Sequence, residues 1–83
     1  MENIIKAHKF SISNFEDLKK EQLCGCFYCK KTFISSKIHD WIIEADGSKT
    51  ALCPYCNIDS VIGKSAGYPL TMDFLEKMQK FWF

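Results

Sequence analysis

The chain has 83 residues, 47% apolar and 14% aromatic, and a formal net charge of +1. A chain this short buries too small a share of its surface for two cores, so residues 1–83 are expected to form one domain held by something besides apolar burial; it is also too apolar for a disordered tail. All eleven basic residues are lysine, so the arginine that makes most bidentate phosphate and base contacts is missing, and the near-balanced charge speaks against a nucleic-acid track.

Met1 leads into Glu2 and Asn3 with neither a basic start nor an apolar run, and no segment approaches the roughly 18 apolar residues of a membrane span. A cytoplasmic location with no membrane partner is expected. Lys19, Lys20, Lys30 and Lys31 form a local basic excess, but Glu16, Asp17 and Glu21 lie among them and make a mixed solvated surface.

In the N-terminal segment, residues 1–22, Ser13-Asn14-Phe15-Glu16 has the form of a capping box. It predicts a short helix to about Gln22, with Phe15 and Leu18 inward and Glu16 paired with Lys20 outside. Gly25 is expected to break that helix ahead of the first cysteine cluster. Ser35 or Ser36 then caps a second predicted helix, placing Ile38, Trp41, Ile42 and Ala45 on one side and ending at Asp46-Gly47. A hairpin competes, because Asp-Gly suits a type I′ turn and Ile42-Ile43 favours a strand. The serine cap and the three-and-four spacing decide for the helix.

Thr50-Ala51-Leu52 reads as a short strand entering the second cysteine cluster, and Gly63 to Pro69 as the loosest stretch. Thr71 precedes an amphipathic C-terminal helix across residues 71–83. Phe74, Leu75, Met78, Phe81 and Trp82 share one face of it, and Asp73, Glu76, Lys77 and Lys80 lie elsewhere. Phe83 projects away from that face, near Met72. It is expected to be partly exposed at the helix end or covered by a second subunit, with a monomer preferred to a homodimer. No repeats or low-complexity linkers are evident.

The cysteines carry the chemistry. Cys26-Phe-Tyr-Cys29 and Cys53-Pro-Tyr-Cys56 are two Cys-x-x-Cys knuckles, and four thiolates so spaced suit one tetrahedral structural zinc. The gap between the knuckles is slightly long for such a site, which the expected inserted helix explains. Pro54 suits a tight turn, and Asn57 tolerates the left-handed conformation such a turn needs. Buried free thiols or a redox dithiol are the rival readings, but a redox site needs one active pair in a strand-then-helix context, and here two matched pairs compete. Cys24 is surplus: pairing Cys26 with Cys29 reproduces the spacing of the second knuckle and sets Phe33 where it can cover the site. Cys24 is then a small buried hydrophobe beside the knuckle, with an exchangeable ligand or reactive thiol as the alternative.

Other motifs fall short. Gly63-Lys64-Ser65 mimics the end of a phosphate-binding loop, but the required first glycine is replaced by Ile58. His39-Asp40 invites a nuclease reading, yet no second histidine or clustered carboxylate follows, and His8 lies far upstream. Trp41, Phe74, Phe81 and Trp82 could form a base-stacking platform, but their helical spacing favours an interior role.

Taken together, CGCFYC, ALCPYCNIDSVIG, SAGYPLT and the final KFWF resemble a family of small bacterial cytoplasmic proteins, uncharacterised in function, with two Cys-x-x-Cys zinc knuckles. The resemblance spans residues 23–83; the family pattern has glycine where this chain has Asn57. It implies zinc and no particular activity. The knuckles are similar to those of zinc ribbons and treble clefs, with a helix starting at Ile58 favouring the treble clef and a strand starting there the ribbon. The expected fold is therefore a small α+β zinc-stabilised domain, with residues 23–62 as its knuckle region. Its expected role is a non-enzymatic protein-interaction or regulatory adaptor. A small nucleic-acid-binding zinc ribbon is the alternative, and a metal-dependent nuclease or thiol-redox protein the more distant one.

Overall fold

The computed structural model describes residues 2–83; Met1, the first residue of the expected N-terminal segment, lies outside them. Helix α1 (Glu2–Ala7) runs into a 3-10 turn (His8–Ser11) and is followed by the single-turn α2 (Phe15–Leu18). Strands β1 (Leu23–Cys26), β2 (Thr32–Ile34) and β5 (Val61–Gly63) form an antiparallel sheet in the order β2-β1-β5. A separate hairpin joins β3 (Trp41–Ile43) to β4 (Lys49–Ala51), and helix α3 (Met72–Trp82) closes the chain. The result is a small α+β fold. No helix among the described residues is long and apolar enough to cross a membrane.

The three-stranded sheet is covered on both faces, and the two-residue alternation of its strands sorts side chains between two apolar clusters. Cys24, Cys26, Phe33 and Val61 face one cluster, which also takes Leu18, Ile38, Ala51 and Cys53. Phe27 and Ile62 face the other, packed with Ile4 and Ala7 of α1 and with Phe74, Leu75 and Met78 of α3. Gly25 lies inside β1, opposite Thr32 and Ile62, and does not end a helix as expected. Its role is close approach: a Cβ there would sit 3.2 Å from both methyls of Leu75, so the missing side chain lets α3 pack onto the strand.

Two helical expectations fail, each for a local reason. Ser13 has a left-handed φ of 52° and donates its amide to Thr50 Oγ1 (2.8 Å), while its hydroxyl pairs with Ser48. It is spent on the hairpin, so no capping box forms; the helix begins after Asn14, stops at Leu18, and carries an exposed Lys19–Glu16 pair rather than Glu16–Lys20.

The predicted second helix is instead the 3-10 turn Ser35–Lys37 followed by the β3–β4 hairpin. Its loop closes with Gly47 amide to Glu44 oxygen (2.9 Å) and Glu44 amide to Ser48 oxygen (2.7 Å), and Gly47 stands at φ 89°. That is the three-residue loop with a left-handed glycine, so Asp46-Gly47 turns a hairpin instead of stopping a helix. Ile38 is buried and Trp41 half-buried edge-on to Phe15, whereas Ile43 is 72% exposed.

Joining the two sheets is the buried side chain of Asn14. Its Nδ2 donates to Phe10 oxygen and Val61 oxygen, and its Oδ1 accepts from Ala51 amide, each at 3.0 Å. The side-chain amide thus stands where the peptide of a bridging strand would, satisfying an outward carbonyl of β5 and an outward amide of β4.

Helix α3 forms as expected, capped by Thr71, whose hydroxyl accepts from Phe74 amide at 3.2 Å. Phe74, Leu75 and Met78 are buried, and Trp82 is half-buried against the His8 ring (4.0 Å) with its indole N–H donating to Ile4 oxygen (3.1 Å). Phe81 departs from the expected core: it is 45% exposed. Phe83 is 60% exposed and leans edge-on against Tyr28, with ring centroids 4.9 Å apart.

Truncation after Lys80 should therefore act through Trp82. Trp82→Ala is expected to cost about 2 kcal/mol, below the usual range for a fully buried tryptophan, and Phe81→Ala under about 0.5 kcal/mol. Urea unfolding of both variants checks this; equal effects would place Phe81 in the core after all.

Candidate metal centre

The two knuckles are the same backbone motif built twice. Cys26 amide donates to Lys31 oxygen and Cys53 amide to Ile58 oxygen, both at 3.0 Å. Lys30 amide returns to Cys26 oxygen (2.8 Å) and Asn57 amide to Cys53 oxygen (2.9 Å). Each loop then needs a left-handed residue just past its second cysteine. Lys30 and Asn57 supply it, both at φ 66°. Sequence reasoning anticipated this for Asn57 and missed it for Lys30, although the matched spacing demands it in both loops.

Each loop also aims an amide at its first sulfur: Tyr28 amide at Cys26 Sγ and Tyr55 amide at Cys53 Sγ, both at 3.4 Å. Cys29 amide adds a second donor to Cys26 Sγ at 3.5 Å. The sheet register brings the loops together, because Val61, just past the second knuckle, pairs with Cys26 at the end of β1. A strand, not a helix, follows the second knuckle.

Cys26, Cys29, Cys53 and Cys56 converge, with all four sulfurs within 4.8 Å of one another. Across the loops, Cys26 Sγ lies 3.6 Å from Cys56 Sγ, and Cys29 Sγ 3.7 Å from Cys53 Sγ. A tetrahedron with metal–sulfur bonds of about 2.3 Å has edges of about 3.8 Å, so the donor set fits a metal of zinc's size and preferences. None of the five cysteines is in a disulfide.

Electrostatics distinguish the sulfurs. Burial pushes the Cys26 thiol up, but hydrogen bonds from Ser60 and from the Cys29 and Tyr28 amides outweigh it and hold the group below the usual thiol range. Burial raises Cys29 and Cys56, and the Cys26 sulfur adds to the rise in both. Four thiols this close oppose one another's ionisation, and a cation among them would relieve that.

Cys24 stands apart. It is fully buried in β1 opposite Phe33, outside the four-sulfur group, with its thiol pushed up to about 12 by burial. Phe33 is buried in the cluster that holds the cysteines, as expected of a covering aromatic. Cys24→Ser should therefore keep metal stoichiometry unchanged while costing about 1 kcal/mol for the buried hydroxyl, measurable by metal analysis beside a thermal melt.

The remaining candidates are not brought to this centre. His39 is exposed and pairs with its neighbour Asp40 (Nδ1 to Oδ2, 3.1 Å). Gly63 lies in β5 and Lys64-Ser65 in a following 3-10 turn, so no phosphate loop forms there. Phe74 is interior, Trp41 and Trp82 are half-buried, and Phe81 faces solvent, so these rings make no common platform.

Ser60 is the residue beside the four-cysteine group that sequence reasoning missed. Its buried hydroxyl lies 3.0 Å from Cys26 Sγ. The signal was present in the paired motif: Ser60 is four residues past Cys56, as Phe33 is four past Cys29.

These observations define a small α+β fold carrying a four-cysteine group that could hold a metal ion in a structural role. Comparison of the chain with protein-family models, curated proteins and solved structures found no match. The resemblance of residues 23–83 to a bacterial zinc-knuckle family thus rests on the quoted motifs alone.

Proposed function

We propose that the chain is a non-enzymatic zinc module in which Cys26, Cys29, Cys53 and Cys56 hold one structural Zn2+, and that it works in the cytoplasm as a protein-interaction or regulatory adaptor. The convergence of four sulfurs within 4.8 Å carries this reading. A catalytic zinc keeps a position open for water or substrate, and four cysteine ligands fill the tetrahedron. The metal's contribution is then to tie the two knuckles, and through them β1 and β5, into one unit.

A protein partner is favoured over nucleic acid because the net charge is only +1 and the cations are all lysine. Little counterion release is available to drive phosphate binding. Strand β5 after the second knuckle supports the ribbon form over the treble clef, and so keeps a nucleic-acid-binding ribbon as the second reading. Fluorescence titration against single- and double-stranded DNA and RNA at physiological salt separates the two. Weak, sequence-independent binding is expected; a submicromolar complex with one sequence would transfer the proposal to the ribbon.

A further inference from the structure

Resting on the four-cysteine zinc reading, we infer that Ser60 is a positioning residue for the metal: its hydroxyl donates to the Cys26 sulfur, fixing that ligand's direction and drawing electron density from it.

Three features carry the assignment. The Ser60 Oγ to Cys26 Sγ separation is 3.0 Å, between two fully buried residues 34 positions apart in sequence. A metal-bound thiolate has no proton to give, so of the two atoms only the serine can donate. The serine is also held independently of the contact it makes. Its carbonyl accepts from Phe27 amide (3.0 Å), and the next residue, Val61, is paired with Cys26 in the sheet. The hydroxyl is therefore presented by backbone that removing it does not disturb.

The donor breaks the twofold likeness of the knuckles. Cys26 Sγ receives Ser60 Oγ besides two amides, whereas Cys53 Sγ receives the Tyr55 amide. In the first knuckle the position matching Ser60 is Phe33, which carries no hydroxyl. Cys26 is thus the ligand with the most outer-shell donors, and such partners orient a ligand and tune its bond to the metal.

The test compares wild type, Ser60→Ala and Ser60→Thr by competition of Zn2+ with a chromophoric chelator and by the sulfur-to-metal charge-transfer bands of the Co2+ form. Ser60→Ala is expected to weaken metal binding by roughly 10- to 100-fold and to move the charge-transfer band to lower energy. Ser60→Thr keeps the hydroxyl and should restore the band position. A purely packing role would leave the band of Ser60→Ala in place. If Ser60→Ala binds Zn2+ as wild type does with an unchanged Co2+ spectrum, the positioning role is wrong and the four-cysteine site stands. If wild type itself takes up no Zn2+ or Co2+, the site fails and this role fails with it.

Discussion

Cys26→Ser, Cys29→Ser, Cys53→Ser and Cys56→Ser are each expected to abolish stoichiometric metal binding and, with it, cooperative unfolding. The reason is size. A domain of this kind has about 5–15 kcal/mol of stability in total, and a structural zinc site in a small domain supplies about 10–16 kcal/mol of binding free energy that is largely folding free energy. β1 ends at Cys26 in the first knuckle and β5 begins just past the second, so releasing the loops loosens the strand ends where Cys26 pairs with Val61. This holds for the partly exposed Cys29 and Cys56 as for the buried Cys26 and Cys53, because each supplies one of four ligands. Far-UV circular dichroism with metal analysis on the four variants and on Cys24→Ser checks this. Metal retained in Cys26→Ser but lost in Cys24→Ser would reassign the site.

Asn14→Ala is expected to be the most damaging substitution away from the cysteines. It removes three hydrogen bonds and strands Val61 oxygen and Ala51 amide at a buried seam between the sheets. Each buried group left unpaired costs about 1–3 kcal/mol, so a total of about 3 kcal/mol or more follows. In a domain of this size that lowers the melting temperature by roughly 12–24 °C. Asn14→Asp should be at least as severe, because it keeps the acceptor for Ala51 but turns a carboxylate oxygen toward the carbonyls of Phe10 and Val61. A thermal melt in excess zinc isolates this effect from metal loss. An unchanged midpoint for both variants would mean that the two sheets are not joined through this side chain.

What the sequence made legible, and what it hid, divides along the range of the interactions involved. The C-terminal helix was readable because its threonine cap and its Phe74, Leu75 and Met78 stripe are local, and both are realised. The metal-ligand candidates were readable because a Cys-x-x-Cys turn is a four-residue device, and two matched turns converge only if one site takes both. Misread elements had their local signals claimed by distant partners. Ser13 looks like a cap, but its amide and hydroxyl are taken by Thr50 and Ser48. Asn14, part of the same apparent cap, is instead the link between sheets. Residues 35 to 45 carry helical spacing, yet Asp46-Gly47 with Ile42-Ile43 folds as a hairpin, the competing reading. The angle of Phe81 on the wheel points to the core, but its ring lies edge-on beside Trp82 and stays 45% exposed. Ser60 was missed because the matched spacing marks only its position, while its partner sulfur is 34 residues away.

The most direct measurement is zinc K-edge X-ray absorption on protein purified from unsupplemented medium, read beside native mass spectrometry of the same sample. One zinc per chain with four sulfur scatterers at about 2.3 Å, lost together with the folded charge-state distribution on chelation, is the predicted result. A folded chain that carries no metal, with all four knuckle thiols open to alkylation, would contradict it.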